Sequence, residues 1–237
     1  MLKNLMLKIV RKQYYNSETY VKYLKSRGLK LGDNVVFYDP SKKPIDEQRI
    51  PFIKIGNSCR ITEGVKILGH DYSYATLRPI YHEMLLKTDE VIIGNNVFIG
   101  INSIILMGTK IGDNSIIGAG SVVSGKFPSN VVIAGNPAKV ICSIDEYYNK
   151  LKKNFERNAI LYYKILSDNG KRNVNEEKML WYNCLWDTEK KEDIFKNIKI
   201  DGDIKEEVIQ DMLEIRPKYK SFKDFILSIE KRNHNEF

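Results

Sequence analysis

The chain has 237 residues, 43% of them hydrophobic and 29% charged, with a formal net charge of +8. That length suits one domain plus an extension, and the apolar content is ordinary for a globular protein. No run of 18 apolar residues occurs, which excludes a membrane-spanning helix, and the three cysteines (Cys59, Cys142, Cys184), odd in number and far apart, read as reduced thiols, not a disulfide frame.

Residues 1–30 read as a helical segment. Leu2, Leu5, Met6, Ile9 and Val10 form one apolar stripe at helical spacing. Lys8, Arg11 and Lys12 interrupt it and no small-residue cleavage site follows, so it is not a secretory signal and the expected location is cytoplasmic. The stripe is basic and amphipathic, suited to packing on the protein or to peripheral contact with acidic lipid. Ser17 is the expected N-cap of a second helix that Gly28 ends.

From Leu31 a period of six begins. LGDNVVF is its first trace, and Ile55, Ile61 and Ile67 continue it, with Cys59 and Val65 four places after the first two. From Ile93 to Pro128 it is unbroken: IGNNVF, IGINSI, ILMGTK, IGDNSI, IGAGSV, VSGKFP. The openers are aliphatic, and a small or β-branched residue follows four places later at Val97, Ser103, Thr109, Ser115 and Ser121. A period of six fits neither a helix nor an alternating strand. It fits short strands joined by tight corners, three to a coil, stacked as a prism with the openers inside. Cys59 then points into the core.

Ile67 and Ile93 are 26 residues apart, not a multiple of six, so residues 68–90 form an excursion. Solenoids carry insertions on one side, and such loops often hold the site. Residues 144–237 lose the hexad; IDEYYNKLKKNFERNAILYYKIL and KEEVIQDMLEIR have helical spacing. The expected organisation is a helical segment over 1–30, a prism over 31–143 and a helical extension over 144–237.

Of the three histidines, His234 sits in a polar tail, while His70 and His82 lie on the excursion. His70 directly follows the last regular strand, where a rigid scaffold can hold a base. Imidazole takes and returns protons near neutral pH. Asp71 is positioned to orient it or to touch an acceptor, and Tyr72, Tyr74 and His82 are candidate substrate contacts. The basic residues are scattered without an aromatic-basic module, which counts against nucleic acid and leaves an anionic ligand or an acidic membrane surface as reasons for the charge.

The hexad array, the GHDYSYATL loop, the IGAGSVV coil and the closing IAGNPAKVI together resemble the hexapeptide-repeat acyltransferases, most closely the sugar and cell-surface-polysaccharide O-acetyltransferases. The resemblance covers residues 31–143. It implies a mainly β fold, a left-handed parallel β-helix with flanking helices, assembled as a homotrimer with active sites between subunits. It implies acetyl-CoA as cosubstrate, no metal, and a saccharide acceptor whose hydroxyl attacks the thioester directly. His70 stands at the place of the general base. Gly100 and Ile101 match the backbone that meets the thioester oxygen, and Ala119 the contact to the pantetheine arm. Ser124 and Lys126, and Pro137 and Lys139, match the phosphate and adenine end. Alternatives are an acetyltransferase for an antibiotic or amino sugar, or a non-catalytic trimeric scaffold. A zinc hydratase on the same prism would need three protein ligands, and only His70 and His82 lie near it. The C-terminal helices are unlike the short tails of the small sugar acetyltransferases.

Overall fold

A computed structural model describes residues 12–168, 171–198 and 205–234. The stripe from Leu2 to Val10, and the membrane contact expected of it, lie outside the described residues. The chain divides into two compact units, residues 1–148 and 149–237.

The first unit is a left-handed parallel β-helix. Its first coil carries β1 (Lys30–Leu31) and β2 (Val36–Phe37). The second carries β3 (Ile53–Ile55), β4 (Arg60–Ile61) and β5 (Lys66–Ile67). The third carries β6 (Val91–Ile93), β7 (Phe98–Ile99) and β8 (Ile104–Ile105), and the fourth β9 (Lys110–Ile111), β10 (Ile116–Ile117) and β11 (Val122–Val123). β12 (Lys126–Phe127), β13 (Val131–Gly135) and β14 (Ala138–Ser143) complete the stack. One face stacks β1, β3, β6, β9 and β12; the second β2, β4, β7, β10 and β13; the third β5, β8 and β11.

The register places the hexad openers above one another. Ile55, Ile93 and Ile111 form one column, Ile61, Ile99, Ile117 and Ile133 a second, and Ile67, Ile105 and Val123 a third. None is more than 3% exposed. Full burial of such a side chain stabilises by about 1.5–3 kcal/mol. The small polar residues of the hexad also point inward, and their hydroxyls are satisfied: Thr109 donates to the Val123 carbonyl at 3.1 Å, and Ser121 donates to the Gly118 carbonyl at 2.6 Å while accepting the Gly135 amide at 3.1 Å. At the corners Asn96, Asn114 and Asn130 adopt the left-handed conformation that short polar residues tolerate. Their side-chain amides form a ladder with 3.0 Å steps.

One end of the stack is covered by α1 (Ser17–Ser26), whose Tyr20 packs edge-on against Phe37 at 5.0 Å. Its N-cap is Asn16, not Ser17. Asn16 accepts the Thr19 amide at 2.9 Å, while the Ser17 hydroxyl accepts the Phe37 amide at 3.0 Å, so a tertiary partner claims the serine. At the other end β13 and β14 form an antiparallel hairpin. The excursion contains one helix, α2 (Tyr74–Tyr81), and α3 (Ile144–Ser167) follows the hairpin, started by a reciprocal Ser143–Glu146 cap.

The second unit holds the rest of α3 with α4 (Lys191–Asn197), α5 (Lys205–Glu214) and α6 (Phe222–His234). Ala159, Met179, Trp186 and Phe225 are its fully buried centre. Burial works against ionisation of Glu156, yet hydrogen bonds from Lys218, Tyr219 and Arg232 overcome it and pull its carboxyl down to about 2. No helix among the described residues is long and apolar enough to cross a membrane.

Candidate active site

The hexad spacing breaks twice around the second coil, and both breaks meet at the corner between the third and first faces. The first break runs from β2 to β3. Within it Ile45 bridges to Ile67 in parallel, and the Asp46 amide donates to the Ile67 carbonyl at 2.9 Å. The second break is the excursion. Its two ends are tied together: Thr88 donates its hydroxyl to the Gly69 carbonyl at 2.7 Å, and His70 bridges to Thr88. The backbone on both sides of this corner is therefore fixed by the prism.

Asp46 and His70 face each other there. The Asp46 carboxylate accepts the Gly69 amide at 3.1 Å through Oδ2, and the same oxygen meets Nδ1 of His70. The two side chains are 6% and 10% exposed. Nε2 of His70 is buried with no hydrogen-bond partner among the described residues. The ring packs edge-on against Tyr72 at 4.9 Å, Tyr72 leans on Tyr74 at 5.9 Å, and the Tyr72 hydroxyl donates to Gln48 at 2.8 Å.

Asp71 is not the residue that holds the imidazole. Its exposed carboxylate accepts the Ser73 amide at 3.0 Å and hydroxyl at 2.7 Å, and these bonds hold it below the usual carboxylate range. An adjacent residue points away from its neighbour along the chain; the partner comes from another coil. His82 is the left-handed cap at the far end of α2, exposed, with its amide on the Arg78 carbonyl at 2.8 Å.

Gly100 with Ile101, and Ala119 above them, lie on a different prism edge, between the second and third faces. A Cβ on Gly100 would stand 2.6 Å from the Ala119 nitrogen, so only glycine lets the coils close. The Gly100 amide is already spent on the Ile117 carbonyl at 2.9 Å. The amides of Ile101 and Ala119 have no acceptor among the described residues. The edge between the first and second faces behaves differently. There the amides of Asp33, Asn57, Asn95 and Asp113 each bond to a side chain one coil further on: Asn57, Asn95, Asp113 and Ser129. Ile101 and Ala119 occupy the same hexad place but carry no polar atom, and this chemistry leaves a column of unpaired donors.

Ser124 and Lys126 are exposed at the next corner, separated by Gly125 in a left-handed conformation. Pro137 and Lys139 sit in the hairpin of β13 and β14, where Lys139 pairs with Ala134. The structure thus brings together His70, Asp46, Tyr72 and Tyr74 on one edge, and Gly100, Ile101 and Ala119 on another. Within one protomer these groups lie on separate edges. Among the described residues no cluster of three or more His, Cys, Asp or Glu side chains could hold a metal. Cys59 is fully buried, with its thiol pushed up by burial and 3.2 Å from the Gly94 carbonyl.

Residues 90–124 match the family described as the hexapeptide repeat of succinyl-transferase. Protein CapG of Staphylococcus aureus is 39% identical over 163 residues, 68% of this chain and 90% of its own length. The chain belongs to the hexapeptide-repeat acyltransferase family. Galactoside O-acetyltransferase of Escherichia coli is 41% identical over 109 residues, 41% of this chain and 49% of its own. Among solved structures, a maltose O-acetyltransferase from Clostridium difficile aligns with a TM-score of 0.41 at 29% identity, covering 53% of this chain and 75% of that one. A galactoside acetyltransferase in complex with coenzyme A aligns with a TM-score of 0.42 at 29% identity, covering 60% and 80%.

For this acyltransferase the sequence pattern misses Asp46 and Gln48. Both lie in PIDEQRI, a polar run between buried Ile45 and Ile50, in the stretch after Phe37 where the hexad fails. That failure was the available signal, weaker than the excursion because the stretch is shorter.

Proposed function

We propose that the protein transfers an acetyl group from acetyl-CoA to a saccharide hydroxyl, on a cell-surface polysaccharide or its precursor, in the cytoplasm. The observation that carries this reading is the pairing of His70 with Asp46, which commits Nδ1 to a carboxylate and leaves Nε2 for a substrate. A carboxylate on Nδ1 selects the tautomer in which Nε2 is the free base.

In this scheme His70 Nε2 accepts the proton of the acceptor hydroxyl as that oxygen bonds to the thioester carbon. The Ile101 amide donates to the carbonyl oxygen as it becomes negative, a contact worth roughly 3 kcal/mol where such donors are removed. The carbon–sulfur bond then breaks, and His70 returns its proton to the departing sulfur, giving an acetyl ester and a thiol. The Ala119 amide holds the pantetheine arm, and Ser124, Lys126, Pro137 and Lys139 border the phosphate and adenine end. Asp71, Tyr72, Tyr74 and His82 line the acceptor side.

Because the His70 corner and the Ile101 edge are separate edges of one prism, the scheme requires a neighbouring copy to supply the second edge. The reading therefore includes a homotrimer with sites between subunits. The relative named galactoside O-acetyltransferase supports an acetyl group as the one transferred and a saccharide as the acceptor.

The test is acetyl-CoA consumption by the purified protein with a panel of saccharide acceptors. His70→Ala should lose about two or more decades of rate. Wild-type turnover in that variant would remove His70 from the reaction. Turnover confined to an antibiotic or amino sugar would replace the acceptor.

A further inference from the structure

Three consecutive side chains, Asp46, Glu47 and Gln48, each reach a different part of the fold. Asp46 meets His70, and Gln48 accepts the Tyr72 hydroxyl at 2.8 Å. Glu47 turns toward the N-terminal segment. Its carboxylate accepts the Tyr14 hydroxyl at 2.8 and 2.9 Å on its two oxygens, and the Tyr23 hydroxyl at 3.3 Å. Tyr14 and Tyr23 belong to an aromatic cluster that also includes Tyr20 and Phe37. Tyr14 is 5% exposed and Tyr20 fully buried, so the phenol that grips Glu47 is packed on its own side. Burial and the neighbouring Glu47 push the Tyr14 phenol well above its ordinary range, which keeps it a donor at any working pH.

The stretch that carries these residues has no hexad register of its own. Its main chain is tied at Asp46, whose amide bonds to Ile67, and by the Ile67 amide on the Pro44 carbonyl at 2.7 Å. Beyond Asp46 it makes a tight turn, with the Gln48 amide on Asp46 Oδ1 at 3.1 Å and the Arg49 amide on the Asp46 carbonyl at 3.1 Å. Rotation of this turn would swing the Asp46 carboxylate off the imidazole. The Gly69 amide on Asp46 and the Tyr72 hydroxyl on Gln48 restrain the turn from the histidine side, and the Glu47 clamp adds a restraint from the other.

We infer that Glu47, held by Tyr14 and Tyr23, is a positioning residue for His70 that acts through Asp46. This rests on the reading of His70 as the base. The N-terminal segment then has a task in the reaction: it anchors the carboxylate that sets the imidazole's tautomer. Charge-assisted bonds from two phenols to one carboxylate give such an anchor direction as well as strength.

The experiment uses the full chain with Glu47→Gln and, separately, the pair Tyr14→Phe and Tyr23→Phe, which removes only hydroxyls. The first readout needs no substrate. With three histidines in the chain, nitrogen-15 labelling of the imidazoles gives an assignable spectrum. Both variants should convert His70 from a single Nδ1–H tautomer to a mixture. The second readout is steady-state kinetics with acetyl-CoA and the saccharide that the wild type acetylates. Turnover should fall about tenfold with the KM for acetyl-CoA unchanged, and the loss should vanish in an Asp46→Asn background.

Unchanged His70 nitrogen signals, or a kinetic loss of equal size with and without Asp46, would overturn the inference. Thermal melts above the assay temperature exclude unfolding as the cause. Full activity of His70→Ala sinks the proposed mechanism instead, and the nitrogen spectra still report whether Glu47 governs the Asp46–His70 contact.

Discussion

Asp46 and His70 lie 24 residues apart in sequence, yet one oxygen of the carboxylate serves both the imidazole Nδ1 and the amide of Gly69, the residue before it. The carboxylate therefore fixes the ring and its backbone together. Asp46→Asn should leave the fold intact, because the amide oxygen can still accept from Gly69. With its oxygen there, the same oxygen still faces Nδ1, but the NH2 group meets the Gln48 amide donor to donor, so a neutral and poorly seated amide holds the Nδ1–H tautomer less firmly than the carboxylate does. The expected result is a loss of about two decades or more in kcat with little change in KM. Steady-state kinetics checks it, and a loss of less than threefold would show that the carboxylate does not matter to turnover.

The unpaired amide of Ile101 can be tested by closing it. On the neighbouring edge Asp113 accepts the Asn95 amide at 2.6 Å, from the place in the coil above that Ala119 occupies over Ile101. Ala119→Asp should deliver the same acceptor to Ile101. If that amide meets the thioester oxygen, kcat/KM for acetyl-CoA should fall about a hundredfold while the melting temperature holds. Unaltered kinetics would mean the amide is a bystander.

Gly100→Ala makes a different claim, about stacking. The added methyl would lie 2.6 Å from the Ala119 nitrogen, 2.8 Å from the Ile117 oxygen and 2.9 Å from the Ala119 Cα, all backbone. Backbone cannot swing aside as a flexible side chain would, so the coils must part. Urea denaturation should report a loss of about 1–3 kcal/mol. At Gly120 nothing lies within 4 Å and the cost of alanine is only the left-handed backbone, roughly 1 kcal/mol.

Glu156 predicts an acid limit for the helical unit. Its carboxyl titrates at about 2 in the folded chain against an ordinary 4.5, because Lys218, Tyr219 and Arg232 outweigh its burial. A depressed folded value means the stabilisation is full above pH 4.5 and is lost as pH falls toward 2. Glu156→Gln should cost roughly 1–3 kcal/mol at pH 7 and nothing near pH 2. Equal destabilisation at both pH values would assign the effect to packing instead.

The prism was legible because each opener repeats its neighbour's environment: Ile99 and Ile117 meet the same partners one coil apart, so the pattern is local and periodic. His70 was legible for the opposite reason, as the residue where the period stops. Its partner was not. Asp46 reaches His70 through the stacking of Ile45 on Ile67, a contact between coils that no spacing within a single stretch encodes. The N-cap failed likewise, since Ser17 is claimed by Phe37 twenty residues away. The unpaired amides could be read only by contrast, once the ladder of Asn57, Asn95 and Asp113 showed what Ile101 and Ala119 lack.

Each coil from Ile99 to Ile117 takes 18 residues and touches only the coils above and below it. The prism is thus a ruler graduated in units of about 4.8 Å. Splicing in one graduation between Val123 and the hairpin would carry Lys139 one notch away from the histidine corner and disturb neither. Reach along the axis and chemistry at the corner are set by separate stretches of the gene, free to be adjusted one at a time.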